Sequence, residues 1–227
     1  GKGSVTEGEA LSHCVFEHTI ETQHQGYIEP RATTVMIDAD GRVQVWVNSK
    51  GPWQVWTQLA AGIGAEESAV RVNPTVIGGD FGGKGGFMDT HVAYHLARVT
   101  GSPVRVTMSY AEELTAGNPR HPGRMTFRTG IRSDGTIVFR QALLRFDSRG
   151  YAAFKPGKGV SYGRRCLGPY RMDHAEVDSR MIYTNHIPCG SMRSPGDPQS
   201  VFASESQIDA IAHKLGLTPM EFRRRNL

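Results

Sequence analysis

A glycine-rich stretch at residues 76–86 is the part of this sequence best suited to binding chemistry. It reads Val-Ile-Gly-Gly-Asp-Phe-Gly-Gly-Lys-Gly-Gly, and we call it the glycine loop. Glycine lacks the Cβ atom that bars positive φ and keeps ligands away from the main chain, so clustered glycines expose N–H donors. The loop predicts a cradle for a polar ligand that carries phosphate or thiolate groups. A mobile connection is the alternative.

The loop departs from two common nucleotide-binding motifs. Gly78 to Lys84 matches the start of a P-loop, but Gly85 stands where that motif needs a magnesium-binding Ser or Thr. The glycines also fall at the wrong intervals for a dinucleotide fingerprint, and we expect no parallel βαβ pattern with a downstream acid around them. Lys84 either adds charge to a ligand site or caps the loop for solubility.

Other catalytic patterns are missing from the sequence. It has no Gly-x-Ser-x-Gly elbow and no His-Glu-x-x-His site. His91 and His95 have helical i, i+4 spacing, but packing or surface exposure is favoured over ligation, and we expect no metal-ligating side chain. The three cysteines, Cys14, Cys166 and Cys189, are far apart, which favours reduced thiols in the cytoplasm.

Composition indicates a globular protein with a sizeable core. The 227 residues are 38% hydrophobic and 21% charged, enough for one domain or two small ones. The net charge is +4, but the arginines are scattered without interleaved aromatics, so we expect no nucleic-acid partner. We also expect no membrane association, because no apolar run approaches the ~18 residues of a membrane span and no leader opens the chain.

Periodicity and turn signals predict the elements of the first half. The first is a strand within 11–21, followed by strands at 32–38 and 42–48 joined by Asp40-Gly41. A helix from Pro52 to a Gly62 stop and a strand through 70–72 and 76–77 come next. After the glycine loop we expect a helix that carries Val92, Leu96 and Val99 and is closed by Gly101, and then a strand at 103–109.

The second half begins at the Pro/Gly-rich stretch 119–123, a seam between two expected lobes at 1–118 and 119–227. It starts with a hairpin of 125–132 and 136–146 and continues with an aperiodic stretch at 150–169 suited to function or partner contact. A strand at 175–183 and a helix capped by Asp197 follow, and the last helix runs from Thr218 to Asn226. The helix capped by Asp197 is expected to turn these residues to a core: Phe202, Ile208, Ile211, Ala212 and Leu215. The order predicts an α+β fold in two layers, with helices on mostly antiparallel or mixed sheets.

Five segments together resemble the molybdenum hydroxylases, the family of xanthine dehydrogenase and aldehyde oxidoreductase. They are Tyr-Ile-Glu-Pro at 27–30, Gly-Gly-Asp-Phe-Gly-Gly-Lys at 78–84, Gly-Ser-Pro-Val-Arg at 101–105, Met-Arg-Ser-Pro-Gly-Asp-Pro-Gln at 192–199 and the ending Glu-Phe-Arg-Arg-Arg-Asn-Leu. Each motif is weak alone, but their order is specific. The match is to the first molybdenum-cofactor-binding region of the large subunit, from about residue 11 onward.

The resemblance implies the cofactor-binding residues. In the family the glycine loop lies against molybdopterin and the molybdenum oxo face, with its aromatic residue as a wall, and the second segment offers backbone donors and a lid. The positions so implied are Gly79, Asp80, Phe81, Gly82, Gly83, Met192, Arg193, Ser194 and Gln199.

Glu29 and Arg105 match the residues that grip the substrate in purine-oxidising relatives. A carboxylate and a guanidinium fixed across a water-poor pocket can polarise a heterocycle or carbonyl. Without the resemblance, Glu29 is better interpreted as an exposed acid in a turn and Arg105 as a partner in a strand-end salt bridge.

Several departures from the family pattern limit these implications. Ser49-Lys50 stands where many relatives have Thr-Gln, and Pro195 replaces an aromatic residue of the lid. Ser194 stands where the carbon monoxide dehydrogenase branch has cysteine, which argues against that activity. The family's catalytic glutamate belongs to a second molybdenum-binding region, expected beyond Leu227. The resemblance thus implies half of an active site and little turnover by this chain alone.

The implied function is hydroxylation of an aldehyde or N-heterocycle with water as the oxygen source. The implied cofactor is molybdopterin with molybdenum, alone or as a dinucleotide. Iron–sulfur clusters and FAD are expected in partner domains or subunits, along with the second molybdenum-binding region. Two alternatives remain open: a phosphate- or nucleotide-binding module, and a non-catalytic assembly domain.

Overall fold

A computed structural model describes residues 3–4, 6–7, 14–85, 88–151 and 163–227. They form two compact units. The loop unit comprises His24–Pro119 and Gly190–Arg193, and the hairpin unit comprises the described parts of Gly1–Gln23, Arg120–Cys189 and Ser194–Leu227. The expected lobes, 1–118 and 119–227, divide at nearly the same position, but each unit also takes a short stretch from the other half of the chain.

Eight strands and five helices lie within the described residues. Strands β1 to β8 span Cys14–Ile20, Ala32–Ile37, Val43–Val47, Val70–Pro74, Val104–Thr107, Gly123–Ile131, Ile137–Asp147 and His174–Ile182. Helices α1 to α5 span Pro52–Ile63, Met88–Thr100, Tyr110–Ala116, Asp197–Lys214 and Pro219–Asn226. The α+β class is confirmed. None of these helices has the length and apolar character needed to cross a bilayer.

The loop unit is a four-stranded sheet in the order β4-β3-β2-β5. β2 and β3 form the expected antiparallel hairpin, with Val35 opposite Val45, and Gly41 turns the chain at φ +81°. The three valines of β3 share one buried face, and the strand's other face carries the more exposed Trp46. That buried face packs against Leu59 of α1 and Ala93 of α2, giving one helical layer on one sheet.

The hairpin unit is a second four-stranded sheet in the order β1-β6-β7-β8. β6 and β7 are antiparallel along most of their length, with Phe127 opposite Ala142, so the expected long hairpin is confirmed. Strand β1 pairs with β6, which brings residues 14–20 into this unit. Helix α4 covers one face of the sheet through Ala203, Ile208 and neighbouring residues.

Arg140 is a fully buried cation in the hairpin unit. Its guanidinium donates to the Ser204 hydroxyl at 2.8 Å and to the Cys166 carbonyl at 3.3 Å, and it faces the Phe127 and Tyr170 rings at 5.7 and 5.8 Å. Burial lowers its pKa to about 10. Arg140 thereby ties β7 to α4 and to the turn at 164–167.

One expectation about the chain before the glycine loop is wrong. Val76 and Ile77 lie outside β4, which ends at Pro74, and Val76 is 92% exposed. A parallel βαβ arrangement precedes the loop, because β3 and β4 pair in parallel through α1. The 12-residue helix supplies the crossover that parallel pairing requires.

Helix boundaries and faces also differ from expectation. α1 ends at Ile63, and Gly64, not Gly62, adopts the left-handed conformation beyond it. The spacing of Val92 and its apolar neighbours marks an exposed side of α2, because small alanines occupy the side facing the sheet. Phe202 of α4 is 56% exposed, and Leu215, just after this helix, is 40% exposed, although we expected both in the core. Gly196 is the N-cap residue there, with Asp197 in the first turn.

Other expectations agree with the structure or fall outside it. Ile208, Ile211 and Ala212 are buried as expected, and Thr218 forms a capping box at α5. Residues 152–162 of the aperiodic stretch, residues 11–13 of the first expected strand and position 86 of the glycine loop lie outside the described residues.

Replacing Arg140 with Met tests its role. Each buried acceptor that loses its donor costs about 1–3 kcal/mol, so we expect the unfolding free energy to fall on the order of 3 kcal/mol in urea denaturation. Arg145→Met on the same strand is the control, because Arg145 pairs with Asp178 in a partly exposed position and such pairs contribute about 0–1 kcal/mol. Equal losses in both variants would contradict this role of Arg140.

Candidate functional site

The glycine loop is held by the carboxylate of Asp80. Its Oδ2 accepts from the Gly82 amide at 2.7 Å and its Oδ1 from the Lys84 amide at 2.6 Å, while its main-chain carbonyl accepts from Gly83 at 2.8 Å. Gly79 and Gly82 have φ of +99° and +108°, which only glycine adopts readily. Residues 78–84 of the loop therefore form an ordered turn with Asp80 at its centre.

These contacts reduce the number of loop amides that could donate hydrogen bonds to a ligand. The amides of Gly82, Gly83 and Lys84 donate within the turn, and the amide of Gly78 donates to Glu29 at 2.7 Å. A ligand at this loop cannot use these four amides as donors while the turn keeps this conformation.

Phe81 presents an aromatic face at the loop. It is 52% exposed and has a φ of +47°, which is unusual for a residue other than glycine. Its carbonyl accepts from the amide of Arg193 at 2.8 Å. Strained backbone that holds an exposed ring is typical of a binding surface.

Lys84 is buried beneath the loop, with only 1% of its side chain exposed. Its Nζ lies 2.5 Å from Glu29 Oε2 and 4.9 Å from the centre of the Tyr27 ring. The interpretation of Lys84 as a solubility cap is therefore wrong, because its ammonium points into the protein.

Glu29 is fixed at the loop but keeps contact with solvent. Its Oε2 accepts from both Lys84 and the Gly78 amide, and 38% of its side chain is exposed. Burial raises the pKa of Glu29, but hydrogen bonds from Lys84 and Gly78 outweigh it, so the pKa lies below its ordinary value. The site thus contains a carboxylate that is ionised at neutral pH.

The contacts described for Arg105 are separate from those of Glu29. Arg105 stands on β5, is exposed, and donates through Nε to Thr107 Oγ1 at 3.2 Å. Within the described residues it forms no salt bridge with Glu29. The structure therefore does not join the two residues that the resemblance pairs.

The segment 190–193 packs directly on the glycine loop within the loop unit. A Cβ atom on Gly82 would lie 2.6 Å from the Ser191 carbonyl oxygen and 3.1 Å from Met192 Cα. The Gln25 amide group also donates to Ser191 at 2.9 Å. Met192 and Arg193 are thus brought together with Phe81 and Gly82.

Ser194 and Gln199 belong to the hairpin unit. Ser194 has a φ of +53°, and its carbonyl accepts from Asp197 at 3.1 Å. Gln199 is buried, and its amide accepts from Arg120 Nη1 at 3.0 Å and donates to the His121 carbonyl at 3.0 Å. Both ends of the Gln199 side chain are already engaged by protein.

A charged network around Glu113 was missed by the sequence interpretation. Glu113 is fully buried, accepts from the Tyr27 hydroxyl at 2.6 Å and also accepts from the Arg31 amide. Arg31 Nη2 donates to the Gly83 carbonyl at 2.5 Å, which connects Glu113 to the loop. Glu113 follows the capping residue Glu112, a pattern typical of a surface helix, so the sequence held no signal of its burial.

Ser49 and Lys50, noted only as a departure from the family pattern, touch the loop. Ser49 Oγ and the Lys50 amide both donate to the Lys84 carbonyl, at 2.9 and 3.3 Å, and Lys50 Nζ lies 3.2 Å from Asp80 Oδ2.

Across the described ranges no group of three or more His, Cys, Asp or Glu is arranged to hold a metal ion.

Replacing Gly82 with Ala should detach the segment 190–193 from the loop. A methyl group there meets the Ser191 backbone, which cannot rotate away as a side chain could. We expect faster hydrogen exchange of the Arg193 amide. Gly26→Ala is the control, because Gly26 also has positive φ, at +69°, but open space around its Cβ position. Unchanged exchange in Gly82→Ala would contradict the packing.

Comparison with known proteins gives a consistent family. The family model described as "Molybdopterin cofactor-binding domain" matches residues 1–227. The nicotinate dehydrogenase large molybdopterin subunit of Eubacterium barkeri is 32% identical over 224 residues, which cover 96% of this chain and 52% of that protein. The xanthine dehydrogenase molybdenum-binding subunit of Escherichia coli is 28% identical over 201 residues, which cover 88% of this chain and 27% of that protein.

The fold is similar to that of a solved enzyme. The aldehyde oxidoreductase of Desulfovibrio gigas superimposes with a TM-score of 0.90 and 26% identity, over 99% of this chain and 25% of that one. The chain spans about half of the length of these relatives, or less. The resemblance is confirmed, and the chain belongs to the molybdopterin cofactor-binding domain family of the molybdenum hydroxylases.

Proposed function

We propose that this chain holds molybdopterin with molybdenum, alone or as a dinucleotide, in an oxidoreductase that hydroxylates an aldehyde or N-heterocycle with water as the oxygen source. The observation that carries the proposal is the Glu29 carboxylate. It is ionised, partly exposed and fixed beside the glycine loop of a chain that belongs to the molybdopterin cofactor-binding domain family. A fixed carboxylate at this place can orient a polar ligand without having to reorganise first.

Buried polar atoms near the loop support its fit to a pterin. Gln25 Oε1 and both polar atoms of the Asn118 amide are buried without a protein hydrogen-bond partner. Gln25 Oε1 lies 3.1 Å from the Cβ position of Gly83. Buried polar groups are costly unless they are hydrogen-bonded, and a pterin edge carries both donors and acceptors. These atoms and the Phe81 ring would therefore hold the group.

The chain's own residues are assigned as follows. Phe81 packs against the cofactor or substrate, and Asp80 keeps the loop in the shape that presents this ring. Glu29 accepts a hydrogen bond from the substrate. The exposed Arg105 guanidinium stabilises the negative charge that develops on the substrate during the reaction. Gly79, Gly82 and Gly83 allow close approach, and Met192 and Arg193 complete the cofactor wall of the loop unit. When bound, molybdopterin with molybdenum supplies two-electron oxidation and oxygen transfer.

The proposal includes partners in the cytoplasm. A second molybdenum-binding region supplies the catalytic base, and iron–sulfur and flavin modules carry the electrons away. The coverage of the relatives supports this division, since they extend well beyond the matched length.

The natively assembled protein should contain molybdenum and pterin equimolar with this chain. Metal analysis by mass spectrometry and fluorescence of the oxidised pterin would measure both. Bound nucleotide without molybdenum would instead favour a phosphate- or nucleotide-binding module. The absence of all of these ligands would favour an assembly domain. Either result would overturn the proposal.

Glu29→Gln should lower kcat/KM about 100-fold at unchanged molybdenum content, because loss of one fixed electrostatic group costs about 10²–10³ in rate. Arg105→Met should give a loss of similar order by removing the guanidinium. The control is Glu67→Gln, an exposed acid of the same unit. Steady-state oxidation by the assembled protein, normalised to bound molybdenum, is the measurement. If Glu29→Gln and Glu67→Gln behave alike, the assignment of Glu29 fails.

A further inference from the structure

We infer that Lys84 is a positioning residue: its buried ammonium fixes the Glu29 carboxylate at the glycine loop in the orientation that meets the ligand. The inference rests on the proposed role of Glu29 and adds a residue that acts only through it. Lys84 itself is 1% exposed and offers nothing to a ligand directly.

The geometry gives Lys84 a single carboxylate partner among the described residues. Nζ lies 2.5 Å from Glu29 Oε2, and the Gly78 amide donates to the same oxygen at 2.7 Å. The Glu29 amide in turn donates to the Gly78 carbonyl at 3.2 Å. Two donors on one oxygen, and a main-chain bond beside them, leave the carboxylate little freedom to rotate.

The ammonium is itself held from several sides. The Tyr27 ring lies 4.9 Å from Nζ, and the Tyr27 hydroxyl donates to the buried Glu113. The main chain of Lys84 is anchored by Asp80 at its amide and by Ser49 at its carbonyl. Lys84 is therefore held through both its main chain and its ammonium, and it brings the carboxylate to a defined place.

The charges around this pair explain its electrostatic effect. A buried ammonium is disfavoured unless an anion pairs with it, and the ammonium in turn stabilises the ionised form of the carboxylate. The pKa of Glu29 is raised by burial but lowered more by the hydrogen bonds of Lys84, Gly78 and Asn48 and by the charge of Lys84. An ionised carboxylate only accepts hydrogen bonds, so the ligand group that contacts Glu29 is a donor.

A purely structural role is the competing interpretation, in which Lys84 stabilises the loop and Glu29 is incidental. The two interpretations differ for Lys84→Met, since methionine is flexible and fills a similar volume without the charge. Lys50→Met is the matched control. Lys50 also touches the loop through Asp80, at 3.2 Å, but its side chain is 46% exposed, and among the described residues it forms no ion pair with Glu29.

The test uses the natively assembled protein, with rates normalised to bound molybdenum. We expect Lys84→Met to lower kcat about 100-fold with a smaller change in KM, as for misplacement of a reacting group. We also expect the acidic limb of its kcat/KM profile to move to higher pH. Burial raises the pKa of Glu29, and in this variant the charge of Lys84 no longer opposes that increase. Lys50→Met should leave that limb in place.

Double variants supply readouts that a structural role would not reproduce. In a Glu29→Gln background, Lys84→Met should cause no further loss of kcat/KM. By thermal unfolding, Lys84→Met should lower the midpoint in the wild type but not in the Glu29→Gln variant, where the ammonium already lacks its anion.

The outcomes separate the inference from the function on which it rests. An active wild type whose two variants show additive losses and an unmoved acidic limb overturns the inference alone. Absence of molybdenum from the wild-type protein overturns the proposed function, and the inference falls with it.

Discussion

The glycine loop depends on one buried charge, the ammonium of Lys84. Taking such a group out of water costs several kcal/mol, which is offset here by the Glu29 carboxylate and the face of Tyr27. Both partners lie in the segment that precedes β2, more than fifty residues earlier in the chain. The loop and that segment therefore stabilise each other, and disturbing one disturbs the other. Glycine makes the conformation accessible, but the charges select it.

The hairpin unit handles a buried cation differently. Arg140 is surrounded by neutral acceptors and two aromatic rings, with no carboxylate in direct contact among the described residues. A planar guanidinium with five donors can be satisfied by carbonyls and hydroxyls, whereas the compact ammonium of Lys84 needs an anion close by. This difference explains why Arg140 ties structural elements together while Lys84 controls the placement of an ionised group.

Much of the fold could be predicted because local patterns decide it. Alternating valines and the Asp-Gly turns specify both hairpins, and glycine closes α2. The parallel pairing of β3 with β4 could not be predicted, since it depends on which sheet edge the chain meets after α1. The exposed side of α2 was misjudged for a related reason. Tight packing on the sheet selects Ala93 and Ala97, so the larger Val92 faces outward.

The candidate site shows a sharper limit of sequence reasoning. The glycines and Glu29 are visible as motifs, but lysine, arginine and glutamate are normally surface residues, so nothing in the sequence marks Lys84, Arg31 and Glu113 as buried. Their burial follows from contacts between residues more than fifty positions apart, which no local pattern encodes. In such a network the charges must be paired, because the free energy of burying an unpaired charge is large compared with the net stability of a folded domain. The motif therefore marks the candidate site, and the pairing of buried charges determines how the Glu29 carboxylate is presented.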